Sequence, residues 1–150
     1  MMIIDQASTA DIPFLCELLN QLFSLESEFK PDYETQSRGL SSIIASPEIG
    51  CILVARHRQQ VVGMLNILYT VSTALGGRVA IFEDMVVAES KRNLGIGTLL
   101  IEQAIQVARQ NDCKRITLLT DRDNQVAQRF YRRLGFKVST MIPMRLLVES

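Results

Sequence analysis

Tryptophan is absent from this chain, histidine occurs once, at His57, and cysteine only three times. One histidine leaves no histidine metal cluster and no Ser-His-Asp triad. Cys16, Cys51 and Cys113 are odd in number, scattered, and each set in an apolar segment. That pattern fits reduced, buried thiols rather than a disulfide framework or a metal site, so no metal is expected. Charge of one sign is lacking too. Sixteen basic and sixteen acidic residues cancel, and no bulk field favours nucleic acid or an anionic membrane. No apolar run approaches a membrane span, and the opening Met1 to Asp5 has no basic n-region. The expected setting is cytoplasmic. What is present is 47% hydrophobic and 21% charged residues, the balance of a globular protein. At 150 residues, a single domain spanning 1–150 is expected.

Ile3 and Ile4 open a short strand that stops at Ser8 to Asp11. Asp11 is a good N-cap, and Pro13 sits in the first turn, where its missing N–H costs little. Ile12, Leu15, Cys16, Leu19, Leu22 and Phe23 repeat at helical spacing to about Ser24. Glu26 and Glu28 lie in a polar link, and a weaker helix covers about Glu34 to Ala45. Cys51 to Ala55 reads as a strand, Arg56 to Gln60 as a hairpin turn and Val61 to Thr70 as its partner. Arg78 to Val87 is a further strand. An amphipathic helix follows Gly95. Arg115 to Thr120 is a short strand, and Val126, Ala127, Phe130, Tyr131 and Leu134 stripe a last helix. Phe136 to Leu147 is expected to supply one or two closing strands. The order β-α-α-β-β-β-α-β-α-β implies an α/β (α+β) mixed sheet with helices on both faces.

The informative stretch runs from Glu83 to Thr98. An apolar strand, a polar turn and two glycines lead into the first turn of a helix. Helix N-termini carry unpaired N–H groups and the positive end of the macrodipole, and glycine lets a phosphate approach them. A phosphorylated cofactor is therefore expected at Arg92, Asn93, Leu94, Gly95, Ile96, Gly97 and Thr98. The stock nucleotide motifs fail. After Gly95-Ile96-Gly97 the sixth position is Leu100, not glycine, and Thr98-Leu99 is not the Lys-Ser/Thr pair of a P-loop.

Arg92-x-x-Gly95-x-Gly97 resembles the Arg/Gln-x-x-Gly-x-Gly/Ala signature of the GNAT superfamily of acetyl-CoA-dependent N-acetyltransferases. Asn124-x-x-Ala127-x-x-Phe130-Tyr131-x-x-x-Gly135-Phe136 is similar to that family's second signature. The element order matches as well, and the resemblance covers nearly the whole chain. Asn93-Leu94 departs from it, standing where the family often has Gly and a basic residue, and Glu89 stands where Pro is frequent.

The resemblance implies acetyl-CoA, with its pyrophosphate on the N–H groups of Gly95, Gly97 and Thr98 and of Arg92 and Asn93. It implies splayed central strands, with the pantetheine along the main chain of Met85, Val86 and Val87, and the Met85 N–H as an oxyanion donor. Tyr131 matches the tyrosine that acts as general acid toward the CoA sulfur in many relatives; its alternative is a packed tyrosine bonded to a backbone carbonyl. Asn124 is a helix cap and a candidate contact to the pantetheine arm. Glu83 or Asp84 is the candidate base for the amine, the alternative being a pair with Arg78 or Lys91. Neighbouring strand residues face opposite ways, so only one reaches the acceptor pocket unless a bulge intervenes. Phe82-Glu83-Asp84 resembles the acidic segment of spermidine/spermine N-acetyltransferases, and Glu26, Glu28 and Glu83 are candidate acceptor ligands. The implied activity is acetyl transfer from acetyl-CoA to a primary amine by direct attack in a ternary complex. The expected acceptor is a small cationic amine: polyamine, amino sugar or aminoglycoside. Open alternatives are a protein or amino-acid acceptor, a longer acyl donor, and a non-catalytic acyl-CoA-binding module. The apolar C-terminal strand could pair across a homodimer.

Overall fold

The computed structural model describes residues 1–24 and 30–148. Glu26 and Glu28 lie outside the described residues. Two compact units are present, Met1–Leu118 and Leu119–Ser150.

In the first unit, β1 (Met2–Gln6) is followed by a 3-10 turn and by α1 (Ile12–Phe23) and α2 (Tyr33–Ala45). Then come β2 (Gly50–His57), β3 (Gln60–Ser72), β4 (Gly77–Val87), α3 (Ile96–Gln110) and β5 (Ile116–Leu118). The strands form one sheet in the order β1-β2-β3-β4-β5. All pairings are antiparallel except β4 with β5, which is parallel. Arg58 and Gln59 close the β2–β3 hairpin with positive φ at both, the twist that a two-residue turn requires.

Helices cover both faces. Leu15, Cys16, Leu18 and Leu19 of α1 and Leu40 of α2 pack with Ile52, Val54, Met64 and Val86 on one face. The alternating residues Leu53 and Ala55 are buried on the other, where Leu100, Ile101, Ala104 and Ala108 of α3 complete the core. At Gly63 an added Cβ would meet Leu100 Cδ1 at 3.0 Å, so the lost side chain is what lets α3 lie this close.

Asp11 occupies the N-cap position of α1, but its side chain makes no capping bond to that helix. Its carboxylate accepts from Ser8 N–H at 2.8 Å and takes Arg56 bidentately, at 2.9 and 2.8 Å. The Arg56 hydrogen bond holds the Asp11 carboxyl below its ordinary value against the opposing effect of burial. The pair clips β2 to the entrance of α1.

The second unit contains α4 (Gln125–Arg133), begun by Asn124, whose side chain accepts from Ala127 N–H at 3.0 Å. The closing strand expected over Phe136 to Leu147 is not formed among the described residues. The composition suits a strand, but a strand needs a ladder partner, and the run has none here. Val138, Met141, Ile142, Met144, Leu146 and Leu147 are all exposed, Met144 at 90%. No helix among the described residues is long and apolar enough to cross a membrane.

Candidate active site

β4 carries the site because its regular pattern breaks once. Glu83 pairs with Asn66 and Val86 with Met64, so Leu65 alone opposes Asp84 and Met85. This is a β-bulge, and Asp84 sits in it at φ +55°. Aspartate is one of the few residues that take a left-handed conformation readily. Asn66, only 3% exposed, donates from Nδ2 to Asp84 Oδ2 at 2.7 Å and holds that carboxylate in place.

The bulge reverses the direction in which the main chain of β4 faces. Before it, Ala80 N–H donates to Arg115 and Arg78 C=O accepts from Lys114, so even-numbered residues face β5. After it, Ala88 N–H donates to Val62 on the β3 side, so even-numbered residues face β3 instead. Met85 and Val87 therefore turn their peptide groups to the side where β5 lay. Pairing with β5 stops at Phe82–Leu118, so within the first unit the edge of β4 has no strand beside it beyond that point. The Arg92 guanidinium folds back to donate to Val87 C=O at 3.3 Å, as that orientation requires. Val86 belongs to the opposite set. Its side chain is buried in the core, and its main chain faces β3.

The turn after β4 presents donors. Gly95 is left-handed at φ +81° and is the N-cap of α3. Asn93 is left-handed too, at φ +64°. Asparagine tolerates that conformation better than most residues, which accounts for its standing at a position where glycine is frequent. Leu99 N–H is the first to find a helical acceptor, Gly95 C=O at 3.2 Å. The N–H groups of Gly95, Ile96, Gly97 and Thr98 have no acceptor among the described residues. Ile96 is buried and anchors this turn to the core, whereas Leu94 is 67% exposed. Free donors at the positive end of a 15-residue helix suit a pyrophosphate.

A cleft of about 310 Å³ lies between the two N-terminal helices and the sheet. Leu19 and Phe23 of α1 and Leu40 and Ile43 of α2 line it, with Asn66, Glu83 and Asp84 from the strands. Both acids reach it, because the bulge abolishes the strand alternation between them. Glu83 is exposed and pairs with neither Arg78 nor Lys91 among the described residues; the Arg78 guanidinium lies 4.8 Å over the Tyr69 ring. Sequence reasoning missed Asn66, whose signal, a lone asparagine in an apolar strand, gives no hint of its partner.

In the second unit, Tyr131 meets the rings of Phe130 and Phe136 edge-on, with centroids at 5.1 and 5.8 Å. Burial pushes its hydroxyl up to about 12. That hydroxyl has no hydrogen-bond partner among the described residues, so the carbonyl-bonded alternative is not realised there. Asn124 is committed to capping α4. Burial also raises the Cys51 and Cys113 thiols, away from the nucleophilic thiolate.

Known proteins resemble this chain in sequence and in fold. An N-acetyltransferase of Bacillus subtilis, YhfO, itself uncharacterized, is 28% identical over 137 residues, 91% of each chain. The 5-NmdU N-acetyltransferase of Pseudomonas phage PaMx11 is 29% identical over 114 residues, 76% of this chain and 75% of that one. A Clostridium acetobutylicum protein described as a predicted acetyltransferase, solved with acetyl-CoA, superposes at a TM-score of 0.80. That superposition covers 97% of this chain and 96% of the other at 17% identity, a likeness of fold. The model of the acetyltransferase (GNAT) family matches residues 12–136, and the chain belongs to that family, whose acyl donor is acetyl-CoA.

Proposed function

We propose that this acetyltransferase acts on a small primary amine that arrives as a cation in the cleft beside Glu83 and Asp84. Polyamines and amino sugars are the first classes to consider, and residues 1–150 act as one catalytic domain. The observation that carries the reading is the bulge at Asp84. On one strand it sets two carboxylates toward the cleft and, within the next three residues, main-chain groups toward an open edge.

Acetyl-CoA supplies the activated acetyl group. Gly95, Ile96, Gly97 and Thr98 hold the anionic end of the donor through their free N–H groups, and the edge at Met85 and Val87 orients its arm. Glu83, exposed and without an ion-pair partner among the described residues, takes the proton from the ammonium directly or through water. The neutral nitrogen then bonds to the acetyl carbon and gives up its second proton to water as the carbon–sulfur bond breaks, and the Met85 N–H is the donor for the carbonyl oxygen. Tyr131 is assigned to return a proton to the departing sulfur, from its place in the second signature. Its own surroundings support the role: the hydroxyl has no competing acceptor among the described residues, and burial keeps it protonated far above neutral pH. Cys51 and Cys113, with raised thiols, have no part in a covalent route.

CoA release across a panel of primary amines, with products identified by mass spectrometry, tests this reading. Acetylated amine as the product is expected. Tight acetyl-CoA binding with no amine acetylated would overturn it in favour of a protein acceptor or a binding module. A homodimer is part of the proposal, supported by the exposed apolar run from Val138 to Leu147; sedimentation of the protein as a monomer at high concentration would remove it.

A further inference from the structure

We infer that Asn66 determines specificity at the reacting nitrogen: its Oδ1 accepts the one hydrogen that the nitrogen keeps, so primary amines are acetylated and their N-methyl forms are rejected. The inference rests on the proposed amine acetylation and deepens it. On the face of the sheet under α1 and α2, the neighbours of Asn66 are apolar. Ile52, opposite it on β2, and Met64, next along the same face of β3, are core residues. Asn66 interrupts that surface with an amide at 3% exposure. One end of the amide is spent, because Nδ2 donates to Asp84 Oδ2. The other end, Oδ1, is buried with no hydrogen-bond partner among the described residues. Asp84 also fixes which end is which, since a carboxylate accepts from the NH₂ group and repels the carbonyl oxygen. An acceptor left unpaired at this depth weakens a fold unless something supplies its hydrogen.

The residue in register with Asn66 on β4 is Glu83, the proposed base, and both line the cleft. Directly opposed residues of an antiparallel pair share a face, with Cβ atoms about 4.5–5.5 Å apart. Gln36 Oε1, also in the lining, is likewise unpaired, but it belongs to α2, where its Nε2 donates to Asn20 of α1. Asn66 is the one beside the base. The hydrogens of the reaction then say what it binds. A primary ammonium carries three. Glu83 takes one, and a second goes to water as the carbon–nitrogen bond forms. The third stays on nitrogen in the product amide, and this is the hydrogen that Oδ1 accepts. A neutral oxygen suits it, because it orients the nitrogen lone pair without adding negative charge that would favour the ammonium. An N-methyl amine has only two hydrogens and loses both. Its methyl must then take the third position, against an acceptor it cannot satisfy.

The experiment compares kcat/KM at saturating acetyl-CoA within pairs of amines. The pairs are 1,4-diaminobutane with its N,N′-dimethyl form, and glucosamine and phenethylamine each with its N-methyl form. In every pair that is acetylated, the primary amine is expected to lead by about tenfold or more. An N-methyl amine acetylated as well as its primary partner would overturn the inference while leaving amine acetylation intact. Acetylation of none of these amines would overturn the amine reading itself, and this inference with it.

Two variants separate the hydrogen bond from bulk and from structure. Asn66→Leu keeps nearly the size of the side chain and removes the acceptor, whereas Asn66→Ala removes both. Each also loses the bond to Asp84, a structural loss that lowers the rates for primary and N-methyl amines alike and leaves their ratio unmoved. Loss of Oδ1 should bring that ratio down by about fivefold or more in both variants. A ratio unchanged in both would make Asn66 structural only. A ratio kept by leucine and lost with alanine would assign the rejection of methyl to bulk. Either result would overturn the inference. Should neither variant fold, the paired amines on the parent protein still test it.

Discussion

The left-handed turn at Asp84 lends itself to a test by sign as well as size. In an ordinary strand, glycine is worse than alanine by about 0.5–1 kcal/mol, because it loses more freedom on folding. At φ +55° the order should reverse. Alanine in that conformation suffers a Cβ–carbonyl clash of about 1–2 kcal/mol that glycine lacks. After the entropy of glycine is subtracted, Asp84→Gly should be more stable than Asp84→Ala by about 0.5–1 kcal/mol. Both variants also lose the hydrogen bond from Asn66 to a carboxylate, a contact of about 1.5–3 kcal/mol, and leave the Asn66 amide unpaired at 3% exposure. Asp84→Ala is therefore expected to cost about 3–4 kcal/mol in all. Asp84→Asn keeps the tolerance for positive φ and a neutral hydrogen bond, and should cost about 1 kcal/mol.

Urea unfolding measures these differences, provided the slope m is the same across the series. In a thermal scan, the alanine variant should melt about 6–12 °C below the parent. Alanine equal to or better than glycine would mean that the residue is not held left-handed. The reversal of β4 main-chain direction argued from it would then fail as well. A double-mutant cycle with Asn66→Ala separates the two contributions, and a coupling of about 1.5–2 kcal/mol is expected. The kinetic counterpart is specific. Loss of the bulge takes Met85 and Val87 off the open edge, so the alanine variant should show a raised KM for acetyl-CoA in the fraction that stays folded.

Gly95→Ala meets no atom within 4 Å, yet φ +81° makes it strained, so a loss of about 1 kcal/mol and a raised KM for acetyl-CoA are expected. Gly97→Trp should abolish acetyl-CoA binding by calorimetry while the fold persists by circular dichroism; unchanged affinity would refute the phosphate cradle. Tyr131→Phe should lower kcat by about 10²-fold or more with little change in acetyl-CoA affinity. Because the Tyr131 hydroxyl sits at about 12, the pH–rate profile should rise with deprotonation of the amine and show no alkaline fall from this tyrosine below about pH 11. Asp11 has a lowered folded-state pKa, so its contribution is present above the ordinary carboxylate value and lost as pH falls through the folded one. Asp11→Asn should therefore lower stability at neutral pH in urea unfolding, and the difference from the parent should shrink in strong acid.

Local chemistry made much of the first unit legible. Pro13 and the apolar spacing of Ile12 to Phe23 mark α1, and the polar Arg56 to Gln60 between two apolar runs marks the hairpin, whose turn proper is Arg58-Gln59. Gly95 likewise announces the turn that opens α3, since a left-handed N-cap leaves few other choices. What could not be read depends on partners distant in sequence. Asp11 looks like a helix cap until folding brings Arg56 to it, 45 residues on. Phe136 to Leu147 has strand composition, but strand formation is a property of a pair, and composition says nothing about whether an edge is available.

The same distinction explains the acid pair. Alternation assigns Glu83 and Asp84 to opposite faces, and that inference is sound for any regular strand. It fails because Asn66, 18 residues upstream, holds Asp84 in a conformation that no local pattern specifies. A rule broken at one residue, by a buried and geometrically demanding contact, is what a site under functional constraint produces. Sequence motifs could point to the turn at Gly95 because its chemistry is local, whereas the cleft is lined from α1, α2 and the β3–β4 pair, which meet only in the fold.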